Sequence, residues 1–187
     1  PDTGRILALV SKPDFDPNTI SEVWDDLVND SNSSVLVNRA TQGLYPPGST
    51  FKILTALEYI RENPLTYQNY SFDCNGRFTS GEDTIRCFHG TKHGKVDFTT
   101  SFAKSCNSSF ANMGLTLSRA SFEDTLSSLY FNQSLPGDLT SNISKVSIGT
   151  GSSDSDLIQT VIGQGTTQMT PLHLSMITSM IANRGIM

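Results

Sequence analysis

Ser49 and Lys52 stand three residues apart, directly after the turn-forming run Tyr45-Pro46-Pro47-Gly48. A serine hydroxyl is a weak nucleophile at neutral pH. A desolvated lysine beside it can act as its base, because burial draws a lysine's pKa toward neutrality. Pro46 and Pro47 disfavour a helix interior and Gly48 permits a tight turn. Ile53, Leu54, Leu57 and Ile60 follow at helical spacing. The pattern predicts a turn and then a buried helix, with Ser49 in its first turn and Lys52 on the same face. Oriented N–H groups at that helix start would face a developing oxyanion. Such a set performs serine acyl transfer without histidine. Ser-x-x-Lys alone is a weak signal, and Ser101-Phe102-Ala103-Lys104 is a second match. That second match lacks the preceding Pro-Gly turn and lies in a polar-spaced segment.

Ser105-Cys106-Asn107 is the one Ser-x-Asn of the chain. Taken alone it reads as a helix cap, since serine and asparagine favour such junctions. Following Ser49 and Lys52, it offers more. A second serine can relay a proton to a leaving amine, and an asparagine side chain can accept from and donate to a substrate amide.

The cysteines are Cys74, Cys87 and Cys106, and the histidines His89, His93 and His173. The histidines do not stand at ligand spacing from the cysteines, so no metal and no cofactor is expected. Cys74 and Cys87 lie in two strand-like pieces, 71–74 and 84–87, separated by Asn75-Gly76 and Ser80-Gly81. A hairpin of those pieces would bring the sulfurs within bonding range, and a disulfide would suit an oxidising compartment. Two free buried thiols fit the same residues.

The elements that must position these groups are mostly helical. A strand is expected at Arg5–Val10 after a turn at Pro1–Gly4, a helix at Ile20–Val28, and a turn at Asp30–Ser34. The helix from Ser49 should stop at Asn63-Pro64. Residues 66–96 are Gly-rich and β-like. Asp97 should cap a helix over Phe98–Lys104. Further helices are expected over Asn107–Leu117 and Phe122–Phe131. Ser152–Asp156 reads as polar and Gly163-Gln164-Gly165 as a loop, and a last helix opens with Thr170 as cap and Pro171 in its first position.

The 187 residues suit one domain or a large piece of one, with 36% hydrophobic and 17% charged residues and a formal charge of −5. Without a Lys/Arg cluster, nucleic acid is a poor partner. No apolar run approaches the roughly 20 residues of a membrane span, and no signal peptide is present. The abrupt start and stop suggest a piece trimmed at both ends.

The pairing of Ser49-x-x-Lys52 with Ser105-x-Asn107 resembles the penicillin-recognising serine acyltransferases. Flanking stretches are similar to class B penicillin-binding proteins, the peptidoglycan transpeptidases. These are Thr3–Ala8 with Lys12-Pro13, then Asn38-Arg39-Ala40 through Lys52. Gly163-Gln164-Gly165, Thr170-Pro171-Leu172 and Ala182–Gly185 complete the set. The resemblance implies an α/β (α+β) fold of the serine β-lactamase and D,D-peptidase type, with the helical subdomain largely present and the central sheet incomplete. Residues 1–187 would be a partial transpeptidase domain. It further implies Ser49 as nucleophile, Lys52 as its base, Ser105 as proton relay and Asn107 as substrate holder. Peptidoglycan stem peptides and β-lactam antibiotics would be the ligands. The parent would be membrane-anchored at the extracytoplasmic face, working with other wall-synthesis proteins in cell shape or division. The family's Lys-Thr-Gly is absent from these residues, a departure read as truncation that should leave the isolated chain a poor enzyme. A β-lactam sensor or non-catalytic penicillin-binding module is the alternative. A β-lactamase is weaker, because none of Glu22, Glu58, Glu62, Glu82 and Glu123 has an asparagine four residues on.

Overall fold

A computed structural model describes residues 2–30 and 33–187. The expected turns at Pro1–Gly4 and Asp30–Ser34 include Pro1, Ser31 and Asn32, which lie outside the described residues. The chain forms two units, each assembled from separated stretches. One comprises residues 1–45, 133–144 and 169–187, the other residues 46–132 and 145–168.

The first unit carries α1 (Ile20–Asn29) and α7 (Pro171–Ala182). The last helix starts as expected: the Thr170 side chain accepts from the His173 N–H and Pro171 occupies the first turn. Proline loses nothing there, because that N–H has no intrahelical partner. Short backbone links hold the unit together. Tyr45 pairs with Met169, the Leu172 N–H donates to the Ala40 carbonyl, and the Asn142 N–H to the Thr41 carbonyl. The strand expected at Arg5–Val10 is not formed. A strand is held by a ladder partner, and none of the described residues supplies one. Leu7 and Val10 are consequently 91% and 72% exposed.

The second unit is built on α2 (Lys52–Glu62), entered through a 3-10 turn at Gly48–Phe51. Its deepest side chains are Phe51, Leu54, Thr55 and Glu58, while Ile53, Leu57 and Ile60 are half-buried. The apolar stripe expected from Ile53, Leu57 and Ile60 is therefore rotated toward Leu54. The Phe51 ring packs edge-on against Phe131 at 5.7 Å and tilted against Phe122 at 6.3 Å. The Thr55 hydroxyl donates to the Val161 carbonyl at 2.8 Å. The buried Glu58 carboxylate accepts from Arg61 and from Thr125, so its charge is compensated.

Against α2 lie α4 (Asn107–Gly114) and α5 (Arg119–Ser128), and α6 (Asp154–Thr160) packs on α4. The polar reading of 152–156 overlooked α6. Ser153 and Asp156 form a reciprocal capping box, and the helix buries Leu157 and Ile158. The signature was present as a serine followed three residues later by an acid and then apolar residues. α3 (Phe98–Ala103) has the expected cap, with Asp97 and Thr100 bonding each other's backbone.

Four short strands complete the unit: β1 (Ser71–Cys74), β2 (Arg77–Ser80), β3 (Asp83–Arg86) and β4 (Gly94–Asp97). They form two antiparallel ladders, β1 with β4 and β2 with β3. The hairpin expected to pair residues 71–74 with 84–87 is not made. The tight turn at Gly81 claims β3 for β2 first, as short loops favour. The mixture of helices with short antiparallel sheet is the α+β class expected.

Candidate active site

The Lys52 ammonium is the hub of the site. Its Nζ lies 3.2 Å from Ser49 Oγ, 2.9 Å from Ser105 Oγ, 2.8 Å from the Ser105 carbonyl and 2.6 Å from Asn107 Oδ1. All four residues named from sequence thus meet at one nitrogen. Helical geometry accounts for the first pair: residues i and i+3 share a face, and the 3-10 turn tightens their approach. The turn between α3 and α4 brings in the second pair.

Each anchor has a local cause. Ahead of Ser49, the Gly48 N–H donates to the Gly163 carbonyl at 2.9 Å. A Cβ on Gly163 would stand 2.1 Å from the Gly48 carbonyl oxygen, and Gly163 has φ +71°. Only glycine admits that approach. The sequence marks Gly163 as part of a loop and of a family-like stretch, without revealing this contact. Around Asn107, the Nδ2 group donates to the Arg86 carbonyl at 2.9 Å. That bond fixes the amide orientation and turns Oδ1 toward Lys52. Ser105 sits at φ +50°, a left-handed conformation costly to a residue with a side chain. The strain aims both its carbonyl and its hydroxyl at the lysine.

Lys52 is 2% exposed. Burial pulls its pKa down from 10.5 to about 8, against an opposing electrostatic pull from Cys106 and Cys87. The Phe110 ring, with its centroid 5.5 Å from Nζ, presents a face that favours the charged form. Ser49 and Ser105 are exposed. The site therefore has a buried amine and two reachable hydroxyls.

The second Ser-x-x-Lys match forms no such pair. Ser101 is buried with its hydroxyl 2.6 Å from Ser109 Oγ. Lys104 is exposed and reaches the His93 carbonyl at 3.4 Å.

The expectation that no metal ligands would assemble rested on linear spacing. The fold overrides it: the Cys74, Cys87 and Cys106 sulfurs and a His93 ring nitrogen lie within 4.8 Å of one another. No disulfide joins Cys74 and Cys87, whose sulfurs are 3.6 Å apart. The structure adopts the free-thiol alternative.

The chain is 29% identical over 197 residues to peptidoglycan D,D-transpeptidase PbpA of Mycolicibacterium smegmatis, covering 100% of this chain and 40% of that protein. Its fold matches penicillin-binding protein A of M. tuberculosis in a penicillin G acyl-enzyme complex. There the TM-score is 0.84 and the identity 28%, over 98% of this chain and 44% of that one. It also matches a complex between penicillin-binding protein PBP2 and MreC from Helicobacter pylori, with TM-score 0.79 and 25% identity over 95% and 36%. The chain spans about two fifths of the length of the curated relative it matches along its whole length. The family described as penicillin binding protein transpeptidase domain matches residues 1–187. A match running from end to end, joined to that structural likeness, assigns the chain to the penicillin-binding protein transpeptidase domain family, in its class B branch.

Proposed function

We propose that this chain supplies the nucleophile, base and relay of a serine D,D-transpeptidase that cross-links peptidoglycan stem peptides. The observation that carries the reading is the convergence of Ser49 Oγ, Ser105 Oγ and Asn107 Oδ1 on one buried lysine nitrogen.

Valence at that nitrogen suggests the order of proton movement. The Ser105 carbonyl and Asn107 Oδ1 can only accept, so each takes an N–H from Lys52. A neutral amine then has one lone pair left, and a charged one has a third N–H. Two hydroxyls, Ser49 and Ser105, share that single position. In the neutral state the lone pair takes the Ser49 proton while its Oγ attacks the carbonyl of the penultimate D-alanine. In the charged state the third N–H serves Ser105, which passes a proton to the departing D-alanine nitrogen. The acyl group rests on Ser49 until an amine of a neighbouring stem attacks it. A β-lactam enters the same path and remains as the acyl-enzyme. The Ser49 N–H, in the first turn of the helix entry, is placed to donate to the developing oxyanion.

The parent protein acts at the extracytoplasmic face of the bacterial membrane, anchored there and partnered with other wall-synthesis proteins. The likeness to a penicillin-binding protein seen in complex with MreC supports that partnership. Division or elongation of the cell, and so its shape, is the process served.

Labelling of the full-length parent with a fluorescent penicillin tests the assignment. Ser49→Ala should abolish covalent label. Lys52→Ala should slow it by about 10²–10⁴-fold, the range for losing a general base. Ser101→Ala should leave label in place. Retained label in Ser49→Ala would move the nucleophile elsewhere. Cross-linking by the unlabelled parent, assayed with stem-peptide substrates, separates a transpeptidase from a β-lactam sensor.

A further inference from the structure

The four donors of Cys74, Cys87, His93 and Cys106 come from separate places in the second unit. Cys74 ends β1, Cys87 follows β3, His93 precedes β4, and Cys106 is the residue before α4. Cys87 Sγ lies 3.6 Å from Cys74 Sγ and 3.7 Å from Cys106 Sγ, and Cys74 Sγ lies 3.5 Å from His93 Nδ1. A tetrahedral zinc ion, with Zn–S of about 2.3 Å and Zn–N of about 2.0 Å, holds sulfurs about 3.8 Å apart and a sulfur and nitrogen about 3.5 Å apart. The observed separations fit one ion, and are too short for ligands spread around a multinuclear cluster.

The surroundings are those of a thiolate site. The backbone N–H groups of Gly76 and His93 donate to the Cys74 sulfur. The Ser109 N–H donates to Cys106 Sγ at 3.4 Å, and Ser108 Oγ lies 3.1 Å from Cys87 Sγ. Such donors orient metal-bound thiolates and stabilise their charge. Gly76, at φ +96°, permits the tight turn after Cys74; a Cβ there would stand 2.4 Å from the Gly90 carbonyl oxygen. The three cysteines are buried together with Phe72 packed against them, so the site is closed on its protein side and offers no position for a substrate.

We propose that Cys74, Cys87, Cys106 and His93 form a structural zinc site that clamps both ladders to the turn carrying Ser105 and Asn107. On binding, the three thiols release their protons to solvent and His93 coordinates as the neutral imidazole through Nδ1. The clamp acts on catalysis by position only. Cys106 lies between Ser105 and Asn107, and the Asn107 amide is held by the carbonyl of Arg86, the residue before Cys87. Fixing the two cysteines fixes the strained turn that reaches Lys52.

Metal binding is read without reference to acylation. Full-length protein purified without chelator should carry one zinc per chain by elemental analysis. Exchange into cobalt should give the thiolate-to-metal charge-transfer absorption and intense visible bands of a tetrahedral cobalt site. Cys74→Ser, or His93→Ala if the first variant fails to fold, should weaken zinc retention by about 10-fold or more. Chelation should lower the melting temperature and slow penicillin labelling, with zinc restoring both. Wild-type protein that retains no zinc in zinc-supplemented buffer overturns the proposal. So does iron in place of zinc, a cobalt spectrum without thiolate charge transfer, or a Cys74–Cys87 disulfide by mass spectrometry. A protein that binds zinc but is not acylated would refute the catalytic reading and leave the metal site standing.

Discussion

Lys52 must satisfy two opposed demands, and their balance fixes a pH dependence. Burial favours its neutral form, while Phe110, Asn107 Oδ1 and the Ser105 carbonyl favour its charge. Burial wins, and the pKa falls to about 8. A base must be neutral to accept the Ser49 proton. Acylation of the free protein by penicillin should therefore rise with pH and level off above about 8, since the neutral fraction grows through that value. The stability consequence has the same sign. A folded pKa below the unfolded value of 10.5 means that the unfolded chain binds more protons between those pH values. Stability should increase across that window, and the penalty of burying the charge is fully present below about 8. Lys52→Arg is the informative variant. A guanidinium does not lose its proton in this range, so both the rising limb and the activity should vanish while positive charge is retained. A rising limb that survives in Lys52→Arg would assign the titration to another group.

The elements contribute through their ends more than their middles. Ser49 is delivered by a 3-10 turn, Asn107 by the first position of α4, and Ser105 by the residue pair before it. Gly163 governs the first of these from outside the helix. Gly163→Ala would place a Cβ 2.1 Å from the Gly48 carbonyl oxygen at a positive φ, and backbone rather than a flexible side chain must yield. The expected cost is about 2–4 kcal/mol of stability, with slowed penicillin labelling because the turn before Ser49 moves. Gly165→Ala is the control. It shares a positive φ of +67°, but its Cβ would meet only the Gln159 side chain, 3.1 Å from its Cβ. It should cost about 1 kcal/mol and leave labelling near the wild-type rate. Equal loss of labelling in both variants would assign the effect to loop strain and not to the Gly48 contact. Ends were also what the residue pattern revealed best. The Asp97 and Thr170 caps are local chemistry, readable from adjacent residues, and both form. The Ser153 capping box was equally local and was passed over because the surrounding residues are polar.

At the scale of the whole chain, what linear order concealed was long-range pairing. Ser49 with Lys52 could be recognised because three residues make one helical step. Their meeting with Ser105 and Asn107 could be expected only through the family resemblance, since nothing in residues 53–104 indicates how the chain returns. The cysteine cluster shows the limit plainly. Cys74, Cys87, His93 and Cys106 follow no ligand spacing, yet the choice of β1 with β4 and β2 with β3 closes them on one another. The segment at residues 5–10 fails in the opposite direction: its composition is that of a strand, and among the described residues it has no ladder. Ile6, Leu7, Leu9 and Val10 are 50%, 91%, 40% and 72% exposed. A run of β-prone apolar residues with unpaired backbone is a template for pairing with a second chain. The net charge of −5 on 187 residues gives modest repulsion, screened beyond about 8 Å at physiological salt. The isolated 187-residue chain should therefore self-associate, with light scattering that rises with concentration and with salt. Leu7→Lys together with Val10→Lys adds charge to the segment and should suppress that scattering. Because neither residue is packed in the described structure, the melting temperature should stay nearly constant. Undiminished scattering in the double variant would place the sticky surface elsewhere, with the half-exposed Trp24 of α1 the next residue to change.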